Sequence, residues 1–273
     1  MAFPIQLIST DFDGTLFAEF ENPPVPPAVQ SLIAHAQSQG ASWVINTGRD
    51  LSSVLETLGR AHLTVRPDFI AVVEREIYYH ENHRYVGLEE WNQACTRSHA
   101  SLFEQVRQDI PRMVDWISTH FDAEIYEDDF SPFCLIAENN EDADKIVAYL
   151  DEYCRRIPHL AVMRNDIYAR LCHAAYNKGS ALGEITRRLG LTAHSVLAAG
   201  DHYNDLPMLS NTFARWLVAP ANAIPEVKET VLRQSGYVSS QPYGHGVARG
   251  IEYFLEQVGA LPSTHSSGSL KSR

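Results

Sequence analysis

The sequence has no CxxC pair, no long apolar run and no excess of basic residues, and each absence removes a class of function. Its four cysteines, Cys95, Cys134, Cys154 and Cys172, are scattered along the chain. Without paired spacing they give no support to a zinc site. As isolated thiols they read as small buried apolar residues of a protein in a reducing compartment. No stretch reaches the ~18 apolar residues that a spanning helix needs, so no membrane role is expected. The opening MAFPIQLISTDFDG lacks the basic segment, apolar stretch and cleavage site of a secretory signal, and a cytoplasmic protein is expected. A formal net charge of -12 argues against a nucleic-acid partner, which demands clustered Lys and Arg. A small phosphorylated partner stays possible, because a metal ion makes a local pocket positive on an acidic protein.

The length allows one large domain or two unequal ones with a real core. The apolar run 5–10 reads as a buried strand whose carboxyl end delivers Asp11 and Asp13. After Pro23, Pro24, Pro26 and Pro27 a helix is expected, opened by proline where no helical hydrogen bond is lost and stopped at Gly40. A second strand, 41–46, ends in Thr47-Gly48-Arg49. A helix through Leu51, Val54, Leu55 and Leu58, a strand at 69–73 and a hairpin-like stretch at 77–86 follow. From 88 to 121 the apolar period is helical, with Pro111 as an interruption. Strands at 124–126 and 133–137, a helix at 141–155 and strands at 160–164 and 167–171 lack the alternation of the flanks. Alternation resumes after Asn177 with a helix carrying Lys178, a strand at 195–199 ending in Gly200-Asp201, a helix starting near Asn204, a strand at 216–219 and a last helix at 247–258.

The fold expected is α/β, a doubly wound parallel sheet built from 1–82 and 172–261, with an inserted α+β domain at 83–171 and a disordered tail at 262–273. In such sheets ligands bind at the carboxyl ends of the strands. There Asp11 and Asp13, Thr47 and Asp201 arrive from three separate strands. One carboxylate can attack phosphorus, and another can protonate the leaving oxygen and later activate water. Gly14 and Gly48 let backbone N–H groups approach a phosphate, Thr47 adds a hydroxyl and Lys178 a fixed positive charge. Asp201 and Asp205 add oxygen ligands of the kind that suits Mg2+.

DFDGT, TGR, NKGSAL and GDHYND resemble, in order, the four signature motifs of the haloacid dehalogenase superfamily. The long insert between the second and third is similar to a class IIB cap. NDLPML, the stretch Ala219-Pro220-Ala221-Asn222-Ala223 and GHGVARGI look like the Cof-type, sucrose-phosphatase-like branch. The resemblance implies a Rossmann-like core. It implies Asp11 as nucleophile and magnesium ligand, and Asp13 as general acid/base that also meets the metal through its backbone carbonyl. It implies Thr47, Gly48, Lys178 and Asn204 on the phosphate, and Asp201 with Asp205 at the metal. Arg49 is expected to reach the substrate or the cap. The expected activity is magnesium-dependent hydrolysis of a small phosphorylated metabolite, a sugar phosphate in kind, through an aspartyl-phosphate. A phosphomutase or phosphotransferase would use the same intermediate, and a phospho-accepting signalling module is the third reading. One departure stands out: many relatives carry Asn-Gly-Ala after the third strand, where this chain has Val73-Glu74-Arg75-Glu76. The acids Glu124, Glu127, Asp128 and Asp129 read as a solvated loop before they read as sugar ligands, and His202 as a bystander. Trp91 and Trp116 read as core residues of the insert. Neither the individual substrate nor the oligomeric state is expressed in the sequence.

Overall fold

The structure, a computed structural model, describes residues 3–260. The tail expected to be disordered, 262–273, lies outside them. From the N-terminus, β1 (Leu7–Thr10), α1 (Pro27–Ser38), β2 (Ser42–Asn46), α2 (Leu51–Arg60) and β3 (Phe69–Val72) alternate, followed by β4 (Glu76–Glu81) and β5 (Arg84–Gly87). Then come α3 (Glu89–Val106), α4 (Ile110–His120), β6 (Ala123–Asp128), β7 (Ser131–Ala137), α5 (Asn140–Cys154), β8 (Leu160–Asn165) and β9 (Tyr168–His173). The chain closes with α6 (Lys178–Arg188), β10 (Val196–Ala199), β11 (Trp216–Ala219), α7 (Pro225–Arg233), β12 (Tyr237–Val238) and α8 (Tyr243–Gln257).

The larger sheet runs β12-β11-β10-β1-β2-β3-β4-β5. It is parallel from β12 to β3 and antiparallel at the β3–β4 and β4–β5 pairs. The edge hairpin therefore makes the sheet mixed. Only residues 73–75 link β3 to β4, and a parallel return needs a crossover of a dozen residues or more. The pairing also puts Arg84–Gly87 in the larger sheet, past the expected junction at 82/83. β1, at the sheet's centre, is buried at all four residues, including Ser9 and Thr10. One face packs on α1 and α8 through Val29, Ile33, Val247 and Ile251. The other packs on α6 and α7 through Leu182, Ile185, Val227 and Val231. Each such large side chain contributes roughly 1.5–3 kcal/mol by leaving water.

The smaller sheet runs β6-β7-β9-β8, and every pairing in it is antiparallel. It has its own core, with Phe133, Leu135, Ile146, Leu150 and Leu171. Trp116 belongs to this core, stacked on Tyr149 at 3.8 Å, whereas Trp91 packs on the larger unit and donates to the Arg75 carbonyl at 2.7 Å. The period break near Pro111 is a true one, since α4 starts afresh with Pro111 in its first turn.

The helix expected to start near Asn204 is a single 3-10 turn over Tyr203–Asp205. Pro207 explains the stop: it offers no N–H to continue the helical hydrogen bonds, although Leu206 before it keeps helical torsions. The last helix begins at Tyr243 rather than 247. Its first turns carry Gly244 and Gly246, poor helix formers that hide the start. They are needed for contact, since a side chain at Gly244 would sit 2.6 Å from Pro26. No helix among the described residues is long and apolar enough to cross a membrane.

Candidate active site

The end of β1 is fixed by the ladder it leaves. The Asp11 N–H donates to the Ala199 carbonyl of β10 at 2.9 Å, which holds the DFDGT loop beside the loop after β10. Gly14 turns that loop with a φ of 76°, and a side chain there would lie 2.7 Å from Asp201 Oδ2. Only glycine tolerates both the torsion and the approach. Thr15 Oγ1 donates to Asp201 Oδ1 at 2.5 Å, and Asn222 Nδ2 donates to the Gly14 carbonyl at 2.7 Å.

Lys178 opens α6 and is fully buried. Asn177 caps the helix in a reciprocal pair with Ser180, and Asn46 Nδ2 at the end of β2 donates to the Lys178 carbonyl at 2.9 Å. The ammonium so placed reaches Asp11 Oδ1 at 2.6 Å and Asp205 Oδ1 at 2.7 Å. Asp205 Oδ2 accepts the N–H groups of Asp201 and His202 at 2.8 and 2.9 Å. Asp205 therefore ties the loop to the lysine with both its oxygens. Asp11, Asp201 and Asp205 each offer an oxygen, all within 4.8 Å of one another.

Three clustered acids have one lysine nearby, which pairs with two of them, and their protonation follows from that. Burial, then the negative charge of Asp205, holds the Asp11 carboxyl well above the usual range, although Lys178 pulls the other way. Burial and Asp205 push Asp201 up to about 7. Burial alone would disfavour the charged ammonium of Lys178, but Asp11, Asp205 and Glu74 together outweigh it and hold its pKa above the usual value.

A cavity of about 840 Å³ lies above this cluster, between the strand ends of the larger sheet and the face of the smaller one. Asp11, Asp13, Thr47, Gly48 and Arg49 line one side, and Tyr126, Asp129, Tyr168 and Arg170 the other. Thr47 is buried, and its hydroxyl accepts the Arg49 N–H at 3.2 Å. Arg49 does not reach the smaller sheet. Its guanidinium grips both carboxylate oxygens of Asp13 at 2.7 Å and donates to Ser53 and Thr57 of α2. Asn204 is buried, with Nδ2 donating to Glu74 Oε1 at 2.8 Å and Oδ1 without a partner. His202 touches the smaller unit, its Nδ1 accepting the Asp166 N–H from the β8–β9 turn at 3.1 Å. Asp128 accepts the Phe130 and Ser131 N–H groups and closes the β6–β7 hairpin, and both Asp128 and Asp129 line the cavity.

Glu74 and Arg170 were not among the expected site residues. Glu74 is 4% exposed and meets Arg170 of β9 at 3.2 Å, joining the two units beside the cavity. The signals were present in Val73-Glu74 standing at a turn usually given to Asn-Gly, and in a charged residue within the largely apolar strand of Arg170.

Solved structures share this architecture at low identity. The sucrose-phosphatase of Synechocystis sp. PCC6803, solved with sucrose and phosphate, superposes with a TM-score of 0.69 at 19% identity over 92% of this chain and 98% of that one. A haloacid dehalogenase-like hydrolase of B. subtilis gives 0.64 at 16% identity over 92% of this chain and 100% of that one. The fold is thus that of the haloacid dehalogenase-like hydrolases. The family model for sucrose-6F-phosphate phosphohydrolase matches residues 4–255, and YcsE of Bacillus subtilis (strain 168), a 5-amino-6-(5-phospho-D-ribitylamino)uracil phosphatase, is 27% identical over 92% of this chain and 96% of its own. The chain belongs to this family of the haloacid dehalogenase superfamily and is a phosphatase.

Proposed function

We propose that this phosphatase hydrolyses the phosphate monoester of a small polyhydroxylated metabolite, a sugar phosphate in kind, through an aspartyl-phosphate on Asp11 with Mg2+ bound. The observation that carries the reading is the Asp11 carboxylate, fixed by Lys178 at 2.6 Å on the floor of a cavity that the second sheet covers. Lys178 holds Oδ1, so Oδ2 is the oxygen free to attack. A bond forms from Oδ2 to phosphorus as the ester oxygen leaves and takes a proton. Water then attacks the phosphoryl group, gives up a proton to a carboxylate, and Asp11 is released with inorganic phosphate. Asp13 is the acid and base for the two steps, contributing about 10²–10⁴-fold. It is held by Arg49, whose guanidinium pairs with its carboxylate at 2.7 Å.

Thr47, Gly48, Asn204 and Lys178 are the donors for the phosphate oxygens: Thr47 and Gly48 line the cavity, and Asn204 and Lys178 stand behind its wall, bonded to the lining residues Glu74 and Asp11. The donor set fits the metal. Of three carboxylates within 4.8 Å, two pair with the one lysine; fully ionised, the cluster keeps two negative charges that one divalent cation would balance, and hard oxygen ligands suit Mg2+. Asp11 and Asp201 would hold it together with the Asp13 carbonyl. Asp205, engaged through both oxygens, would act as their support. When bound, the ion supplies charge compensation at the transferring phosphoryl group.

The cavity supports an uncharged leaving group. Its two arginines, Arg49 and Arg170, are both neutralised by carboxylates, and the other polar groups facing it include Tyr126, Tyr168, Asn165, Asp128 and Asp129. The tyrosines, Asn165 and the carboxylates suit hydroxyls and sugar faces. Two of the matches cited above, the sucrose-6F-phosphate phosphohydrolase family and YcsE, carry names that also describe polyhydroxylated phosphate esters. Buried, unpaired thiols fit a cytoplasmic location. The test is release of phosphate from an aryl phosphate and from a panel of sugar phosphates, with Mg2+ and with a chelator. Asp11→Asn should lower kcat by about 10³–10⁶-fold with an unchanged circular dichroism spectrum. Normal turnover in that variant, or full activity in excess chelator, would sink the mechanism.

A further inference from the structure

Glu74 is a buried carboxylate at the phosphate end of the cavity that none of these steps uses. Its Oε1 accepts from Asn204 Nδ2 at 2.8 Å. A side chain on Gly48 would meet the same oxygen at 3.3 Å, so the carboxylate stands directly against the Thr47-Gly48 loop. Val73 and Glu74 hold it there in two successive left-handed conformations, φ 44° and 66°, which non-glycine residues rarely adopt and β-branched ones least of all. Arg170 of β9 fixes Oε2 at 3.2 Å. The Asn204 amide is oriented by this contact, because turning it over would set its oxygen against the carboxylate. Its Oδ1 is left buried and without a partner.

We propose that Glu74 is an internal competitor of the phosphate group: its carboxylate occupies the Asn204 donor that phosphate requires, and so limits how tightly phosphate is held and speeds its departure. The inference rests on the reading of Asn204 and Gly48 as phosphate donors. An arriving dianion takes the Asn204 amide and the Gly48 N–H, and Glu74 retains Arg170 alone. Two anions beside one set of donors repel, and neither is fully satisfied while both are present. For a hydrolase whose product is inorganic phosphate, the same repulsion works against product inhibition. The residue is a positioning residue, since it acts on phosphate through Asn204 and through charge, without touching the reacting bond.

The experiment measures inhibition by inorganic phosphate and steady-state kinetics on an aryl phosphate, with the full chain in Mg2+. Glu74→Gln removes the charge and keeps an acceptor for Arg170. Glu74→Gly removes the side chain at a torsion native to glycine, and melting temperatures verify folding. Both variants should lower the inhibition constant of phosphate by about 5–150-fold, the range of ordinary coupling between sites. KM and kcat should fall together as product leaves more slowly. A residue that merely held the fold would lower kcat without tightening phosphate. An inhibition constant unchanged or raised in both variants overturns the proposal. Asn204→Ala in the otherwise native chain separates the two layers. If it weakens phosphate while the Glu74 variants leave it unchanged, the competitor idea fails and the donor assignment stands. If Asn204→Ala leaves phosphate affinity unchanged, both fail.

Discussion

At Lys178 a single ammonium answers two carboxylates with no exposure to water. Removing one partner of a buried ion pair costs far more than the pair contributes net, because the other charge is left desolvated and alone. Lys178→Met in the metal-free protein should therefore lower stability by about 3–5 kcal/mol, read from the midpoint of a urea transition. A loss below about 1 kcal/mol, the scale of a surface pair, would show that the acids are already neutral and unpaired. Single residues were the most legible level of this protein. Asp11, Asp201 and Lys178 sit where strand ends and a helix start put them, and the local pattern of apolar run, acid and glycine announces those positions. Arg49 was less legible: its pairing with Asp13 depends on α2, whose Ser53 and Thr57 hold the guanidinium in place.

Elements carry a second kind of information, how the two units are joined. His99 of α3 lies at the junction, buried, its Nδ1–H donating to the Cys95 carbonyl at 2.9 Å and its Nε2 accepting the His173 N–H at the end of β9 at 3.1 Å. Burial, then the nearby Arg75 cation, pushes its pKa down to about 3. The unfolded chain takes up this proton near 6.5 and the folded one does not. Its contribution to stability is therefore full above about 6.5 and is lost as pH falls from there toward about 3, by up to about 1.4 kcal/mol per pH unit. His99→Gln should lose less melting temperature than the native chain between pH 7 and pH 4. An equal or steeper loss would exclude His99 as the source. Among the helices, α7 was passed over although Pro225 at its first turn and the Val227/Val231 pair four apart were readable signals. The turn at Asn204 was the opposite error, a helical composition cut short by one proline.

On the scale of the whole molecule the cavity belongs to neither sheet alone. Its floor is the carboxyl edge of the larger sheet and its roof the face of β6, β7, β8 and β9, so selectivity is a property of their juxtaposition. With both facing arginines neutralised, a second anion on the substrate meets uncompensated acids such as Asp129. A sugar monophosphate should thus exceed the corresponding bisphosphate in kcat/KM by at least about tenfold, a modest share of the several kcal/mol that like charges cost at an interface. Equal or inverted values would show that an arginine leaves its carboxylate to serve the substrate. The sequence by itself determined the alternating α/β order, the interruption by a second kind of architecture, and the acids at the strand ends. These are readable because burial, period and turn chemistry act over a few residues. The tertiary structure alone decided that Arg49 answers Asp13, 36 residues away, and that Glu74 answers Arg170 across 96 residues. Such pairings depend on which surfaces the packed sheets bring within 3 Å or so of each other, and no local pattern encodes that distance.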